Sequence, residues 1–208
     1  MKLQYKSDKW IDFFEQFFEN RCKAQEFADD LECITDPSVP KHRAKIIMHQ
    51  TQRIISLADD IPQIRKGKES LQLMFLLICA ENIAKTYFDF KGDGKSKYFV
   101  RKFFKEFVVE EDKNILLNGF ANISRSPFEL CSVVDVLYSV RCDVVHEGKY
   151  WEFHFRVETD TTHMINLDPD VVVSITLNQL RNIIARACIY AIQKSINQIP
   201  SSGDESGD

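Results

Sequence analysis

The stretch Leu73-Met-Phe-Leu-Leu-Ile-Cys-Ala80 most restricts the folds open to this chain. It belongs to a helical run over 68–90 whose first half is apolar nearly all round. A helix without a polar face must be covered on most sides, so the other elements are expected to pack around it. The apolar run is too short to cross a bilayer. Glu81 and Asn82 interrupt it immediately afterwards. A carboxylate inside the protein costs several kcal/mol unless it is paired. Two arrangements satisfy that condition. Either Glu81 is inside and meets a cation, with Arg141 the leading candidate, or the helix turns Glu81 out to water.

The segments around this helix also read mainly as helices. Trp10, Phe13, Phe14, Phe17, Phe18, Phe27 and Leu31 recur at threes and fours. That spacing predicts one helix from a Ser7 or Asp8 cap to about residue 34, with its Phe row facing the core. A second helix is expected over 41–59, ended by Pro62 and Gly67. Its two histidines, His42 and His49, are two turns apart with no carboxylate beside them, and are expected to face solvent. The Gly-rich turn 91–95 follows a helix and lacks phosphate-loop spacing. The segment 96–109 interleaves Lys97, Arg101, Lys102 and Lys105 with Tyr98, Phe99, Phe103, Phe104 and Phe107. It reads as an amphipathic helix with its Phe residues inside, and its composition also suits a single-stranded RNA surface. A weaker helical segment spans 112–122.

Ser126 and Pro127 form a cap and first turn for the next helix. Along it Leu130, Val133, Leu137, Val140 and Val144 make one apolar stripe, with Arg141 at its edge. Tyr138, Cys142 and His146 make a second line, and Gly148 suits the position just past the helix end. Arg141 and His146, five residues apart, are about 140° apart around a regular helix and roughly 7.5 Å apart along it. Beyond Gly148 the period changes to two. Residues 151–157 alternate strictly, 159–162 supply turn chemistry, and 163–167 and 171–175 can return as strands. A closing helix is expected over 176–199, followed by a disordered acidic tail at 200–208. The expected organisation is a single, mainly α domain over 1–199, with a small β-hairpin or short-sheet insert at about 150–175 between the last two long helices.

The 208 residues suit one domain, and 16 Phe give ample core material. The net charge of −4 leaves no global attraction for a polyanion, so any nucleic-acid site must be a local basic patch. Six scattered cysteines, with no zinc-type spacing and no signal-peptide pattern, point to a reduced, soluble, cytoplasmic protein with free thiols and no membrane association.

Around Tyr138-Ser-Val-Arg-Cys-Asp-Val-Val-His-Glu-Gly148 the chain resembles the HEPN superfamily, in particular its Apea-like branch, whose motif reads Tyr-x-x-Arg-Ser-x-x-x-His-Gly. Tyr138, Arg141 and His146 match, and Gly148 matches with a shift of one. Cys142 stands where Ser is usual, and Glu147 where Gly is usual. Glu81 is similar to the acidic position that many members carry on an earlier helix. The resemblance implies a HEPN-like helical bundle that forms a homodimer. It further implies RNA as substrate, no metal or cofactor, and a protein partner or antitoxin in some settings. The implied activity is metal-independent RNA cleavage in a defence, stress or toxin-like role, with Arg141 and His146 catalytic. Glu81, Tyr138, Cys142 and Asp143 would support them, and Lys149, Lys97 and Arg101 would bind substrate. The alternative is a noncatalytic HEPN-type module that binds RNA, a nucleotide or a protein.

Overall fold

The computed structural model describes residues 2–167 and 169–197. Its helices are α1 (Lys2–Phe14), α2 (Arg21–Glu32), α3 (Pro40–Ile64), α4 (Glu69–Tyr87), α5 (Ser96–Phe107), α6 (Glu110–Gly119), α7 (Leu130–Cys142) and α8 (Leu177–Ile196). Short strands β1 (Phe120–Asn122), β2 (Met164–Leu167) and β3 (Asp170–Val173) form one antiparallel sheet in the order β1-β3-β2. The chain is therefore mainly helical with a small sheet. The acidic tail and the last residues of the expected closing helix lie outside the described residues.

The apolar-all-round helix is central, as its pattern requires: α4 packs against α3, α5, α7 and α8. Leu73, Leu76, Leu77, Cys79, Ala80, Ile83 and Ala84 are all buried. The Phe residues of α5 face inward, with Phe99, Phe103, Phe104 and Phe107 buried and Tyr98 left exposed. Buried side chains from α1 to α8 form one contiguous cluster.

The expected first helix is two. After α1 a single turn of 3-10 helix covers Glu15–Phe17, and Asn20 then caps α2, its side chain accepting the Lys23 N–H at 3.0 Å. Asparagine competes with a helix interior and favours this cap. The break folds α2 back, so that Phe27 meets Phe14 and Phe18 with ring centres 5.3 and 5.0 Å apart.

Pro62 does not end α3, which continues to Ile64. A proline inside a helix leaves the carbonyl four residues earlier without its N–H partner. That carbonyl belongs to Ala58, and the Gln72 side chain donates to it at 3.2 Å. His49 also departs from expectation: it is half-buried, stacked on Trp10 at 4.4 Å and bonded to Glu32 at 3.2 Å.

The sheet is more than an insert after α7, because β1 precedes that helix and pairs with β3, Phe120 opposite Val173. Residues 120–122, expected at the end of a helix, are strand instead. Gly119 allows the crossing, since a Cβ there would stand 2.0 Å from Ile175 Cγ2. The alternating stretch 151–157 is extended but joins no ladder. Asn166 takes the strand partner's place, accepting from the His154 N–H at 2.8 Å and donating to the His154 carbonyl at 3.0 Å. The Phe155 N–H goes to Glu69 Oε2 at 3.0 Å and the Arg156 N–H to the Ile175 carbonyl at 3.0 Å. Its period still appears as burial, with Phe153 and Phe155 inside and His154 outside.

Candidate functional site at the end of α7

The helix carrying the motif starts later than expected. Pro127 bridges to Ala121, the Ser126 N–H donates to Asn122 Oδ1 at 2.8 Å, and Glu129 precedes Leu130 without a side-chain cap. From Leu130 the expected stripe holds: Val133, Leu137, Val140 and Val144 are buried. That burial sets the rotation of α7 and turns Arg141 toward α4.

Glu81 is buried, so the first of the two arrangements is the one observed. Lys85 Nζ and Ser96 Oγ each donate to its Oε1 at 2.7 Å. Arg141 Nη2 reaches its Oε2 at 3.4 Å, and Arg141 Nη1 reaches Tyr138 Oη at 3.4 Å. The guanidinium also lies 5.2 Å from the Tyr138 ring centre. Arg141 Nε is buried with no hydrogen-bond partner among the described residues. Within the cluster, two cations face the Glu81 carboxylate. Burial pushes the Tyr138 hydroxyl pKa up, with Arg141 acting in the opposite direction.

Immediately after Cys142 the regular helix widens into a π turn, Asp143–Glu147. It closes on Gly148 in the left-handed region at φ 67°, whose N–H bonds the Asp143 carbonyl; the Lys149 N–H bonds the same oxygen at 3.1 Å. Cys142 and Asp143 are half-buried, while His146 is exposed. No hydrogen bond is found for the His146 ring among the described residues. The site is thus an anchored guanidinium and an open imidazole at one helix end.

The residues expected to bind substrate are not gathered there as free cations. Lys149 pairs with Glu147 at 2.8 Å, which lowers the carboxyl pKa and raises that of the amine. Lys97 meets Asp135 Oδ2 at 3.1 Å, and Arg101 forms a fork on the same carboxylate, with Nε at 2.7 Å and Nη2 on the second oxygen. Asp135, held below the usual carboxylate range by Arg101 first and then Lys97, ties α5 to α7. Sequence reasoning did not single out Asp135, Lys85 or Ser96. Lys85 was legible as the position four after Glu81; Ser96 and Asp135 carry no such local signal.

A groove of about 250 Å³ between α5 and α7 is lined by Tyr98, Arg101, Lys102, Lys105 and Cys131, among others. A larger cleft of about 390 Å³ lies at the start of α8. Arg141 and His146 line neither; Arg141 is largely buried against α4, and His146 is exposed. Among the described residues no group of three or more His, Cys, Asp or Glu is placed to hold a metal ion, and no helix is long and apolar enough to cross a membrane. No model of a known protein family, no curated protein and no solved structure matches the chain.

Proposed function

We propose that the chain is a HEPN-type, metal-independent endoribonuclease, working as a homodimer in a defence, stress or toxin-like setting, with a protein partner or antitoxin able to restrain it. The observation that carries this reading is the occurrence of Arg141, clustered with Glu81 and Lys85, and an exposed His146 five residues on. RNA supplies its own nucleophile. The 2′-oxygen attacks the adjacent phosphorus, the 5′-oxygen leaves, and a cyclic phosphate remains.

That route needs a base for the 2′-hydroxyl proton, an acid for the leaving oxygen, and donors for the phosphorane's charge. Arg141 supplies donors for two phosphate oxygens. His146 supplies one proton-transfer group. A second copy supplies the other, and the open position of the helix end suits a seam between copies. Lys149, Lys97 and Arg101 then act as field and positioning charges, since each already has a carboxylate partner.

A noncatalytic HEPN-type module that binds RNA, a nucleotide or a protein is the second reading. The Arg141 side chain is only 16% exposed and paired with Glu81, as a helix-to-helix tie would be. Incubation of purified protein with RNA in excess EDTA separates the two. The nuclease reading requires cleavage to cyclic-phosphate ends, lost in His146→Ala and in Arg141→Ala. Cleavage that survives both substitutions defeats it. Without cleavage, RNA binding that weakens steeply with salt supports the binding module.

A further inference from the structure

The 390 Å³ cleft lies between the ends of α3 and α4, residues 156–159 and the first turn of α8. It is well separated from the Arg141 cluster, because Glu69, which lines it, precedes Glu81 by twelve residues on α4, about 18 Å along the helix. Its polar groups differ in how far they are already engaged. Arg181 is committed: it forks onto Asp59 at 3.2 and 2.7 Å and donates to Gln16 at 3.0 Å. Gln72 is committed to the Ala58 carbonyl.

Arg156 is not committed. Its Nε is buried and has no hydrogen-bond partner among the described residues. The half-buried guanidinium lines the cleft, where an anion can accept from its terminal nitrogens. The start of α8 adds to this. Thr176 Oγ1 takes the Gln179 N–H at 3.1 Å, and the first intrahelical bond runs from the Leu180 N–H to the Thr176 carbonyl at 3.2 Å. The Leu177 and Asn178 amides precede that bond, so the helix leaves two donors and its positive end at the cleft.

Glu69 supplies the complementary character. Phe155 N–H anchors one carboxyl oxygen at 3.0 Å, and Glu69 lines the cleft. Burial raises its pKa, with that hydrogen bond opposing the shift. Glu158, another lining carboxylate, is exposed to water.

We propose that this cleft binds a compact organic anion that also carries a hydroxyl group, Arg156 taking the anionic head and Glu69 the hydroxyl. The volume lies in the range of small-molecule sites. A phosphomonoester and a hydroxy acid share this chemistry. The assignment stands apart from the ribonuclease reading and uses none of its residues.

Calorimetric titration of the full chain with glycerol 3-phosphate, malate and inorganic phosphate tests it. Saturable binding of one of the first two is expected, and which one binds identifies the head group. Inorganic phosphate, lacking a hydroxyl on a carbon arm extending from the anionic head, is expected to bind about tenfold more weakly. Arg156→Gln is expected to weaken binding at least about tenfold, while His146→Ala leaves it unchanged. Should Arg156→Gln fail to fold, Asn178→Asp decides. An acid in the first turn suits the helix dipole but repels an anion in the cleft. The assignment is overturned if none of the three probes binds saturably, if inorganic phosphate binds as tightly as the organic probes, or if both variants bind like the parent.

Discussion

Arg141 Nη2 lies 3.4 Å from Glu81 Oε2, joining the helix of the Arg–His motif to the polar interruption of the central helix. The carboxylate is shared unequally. Lys85 and Ser96 hold one oxygen at 2.7 Å, and Arg141 holds the other loosely. Glu81 therefore has two partners on one oxygen besides its contact with Arg141.

Glu81→Gln keeps the side chain's shape and removes its charge, leaving Lys85 and Arg141 without their carboxylate. The expected loss is on the order of 2 kcal/mol, read as a lower urea midpoint. The double variant with Arg141→Gln should lose less than the two single losses added, because the two residues share one interaction. Strict additivity would show that the pair is not coupled.

The two motif residues should differ in what they contribute to folding. His146 is exposed on the π turn, so His146→Ala should stay within about 0.5 kcal/mol of the parent. Arg141→Ala removes a partner of Glu81 and should cost about 1–3 kcal/mol. Thermal melts of both variants measure the difference, and a His146→Ala melt displaced as far as that of Arg141→Ala contradicts it.

His49 should make the protein sensitive to mild acid. Burial, the largest influence, lowers its pKa below the ordinary 6.5, and Glu32 only partly opposes that. Below pH 6.5 the unfolded chain then binds a proton that the folded chain does not. Stability contributed by neutral His49 is complete above that pH and falls as pH drops toward the folded value. NMR titration of the His49 ring should give a midpoint under 6.5, and His49→Gln should flatten the fall in melting temperature between pH 7 and 5. A midpoint above 6.5 rejects the assignment.

Gly119→Ala should cost about 1–3 kcal/mol through overpacking, because its new methyl carbon would fall 2.0 Å from Ile175 Cγ2. Ile175→Ala removes that atom, so the double variant should recover part of the loss caused by Gly119→Ala. No recovery in denaturant melts would place the strain elsewhere.

Which features could be read from local pattern follows from how each is held. The apolar-all-round run at 73–80 had only one way to be solvated poorly everywhere, so a central α4 followed. The Phe spacing of α5 and the stripe from Val133 to Val144 are periods of a single helix and survive whatever packs against them. Gly148 has the expected left-handed conformation because few other residues adopt it freely. Glu81 and Arg141 were a legible pair only conditionally, since burial of the carboxylate depends on what lies beside α4.

The sequence by itself determined a mainly helical chain, the central helix, the inward Phe rows and the Arg–His pair at a helix end. All are properties of residues within a few turns of one another. Only the tertiary structure decided that Gln72 would take the carbonyl freed by Pro62 and that Asn166 would stand in for a strand beside His154. It likewise decided that residues 120–122 would pair with β3, and that Asp135 would hold both Lys97 and Arg101. Each depends on a partner distant in sequence. A free carbonyl, an unpaired strand or an unclaimed cation is satisfied by whichever group the packing brings near, and local period carries no record of that choice.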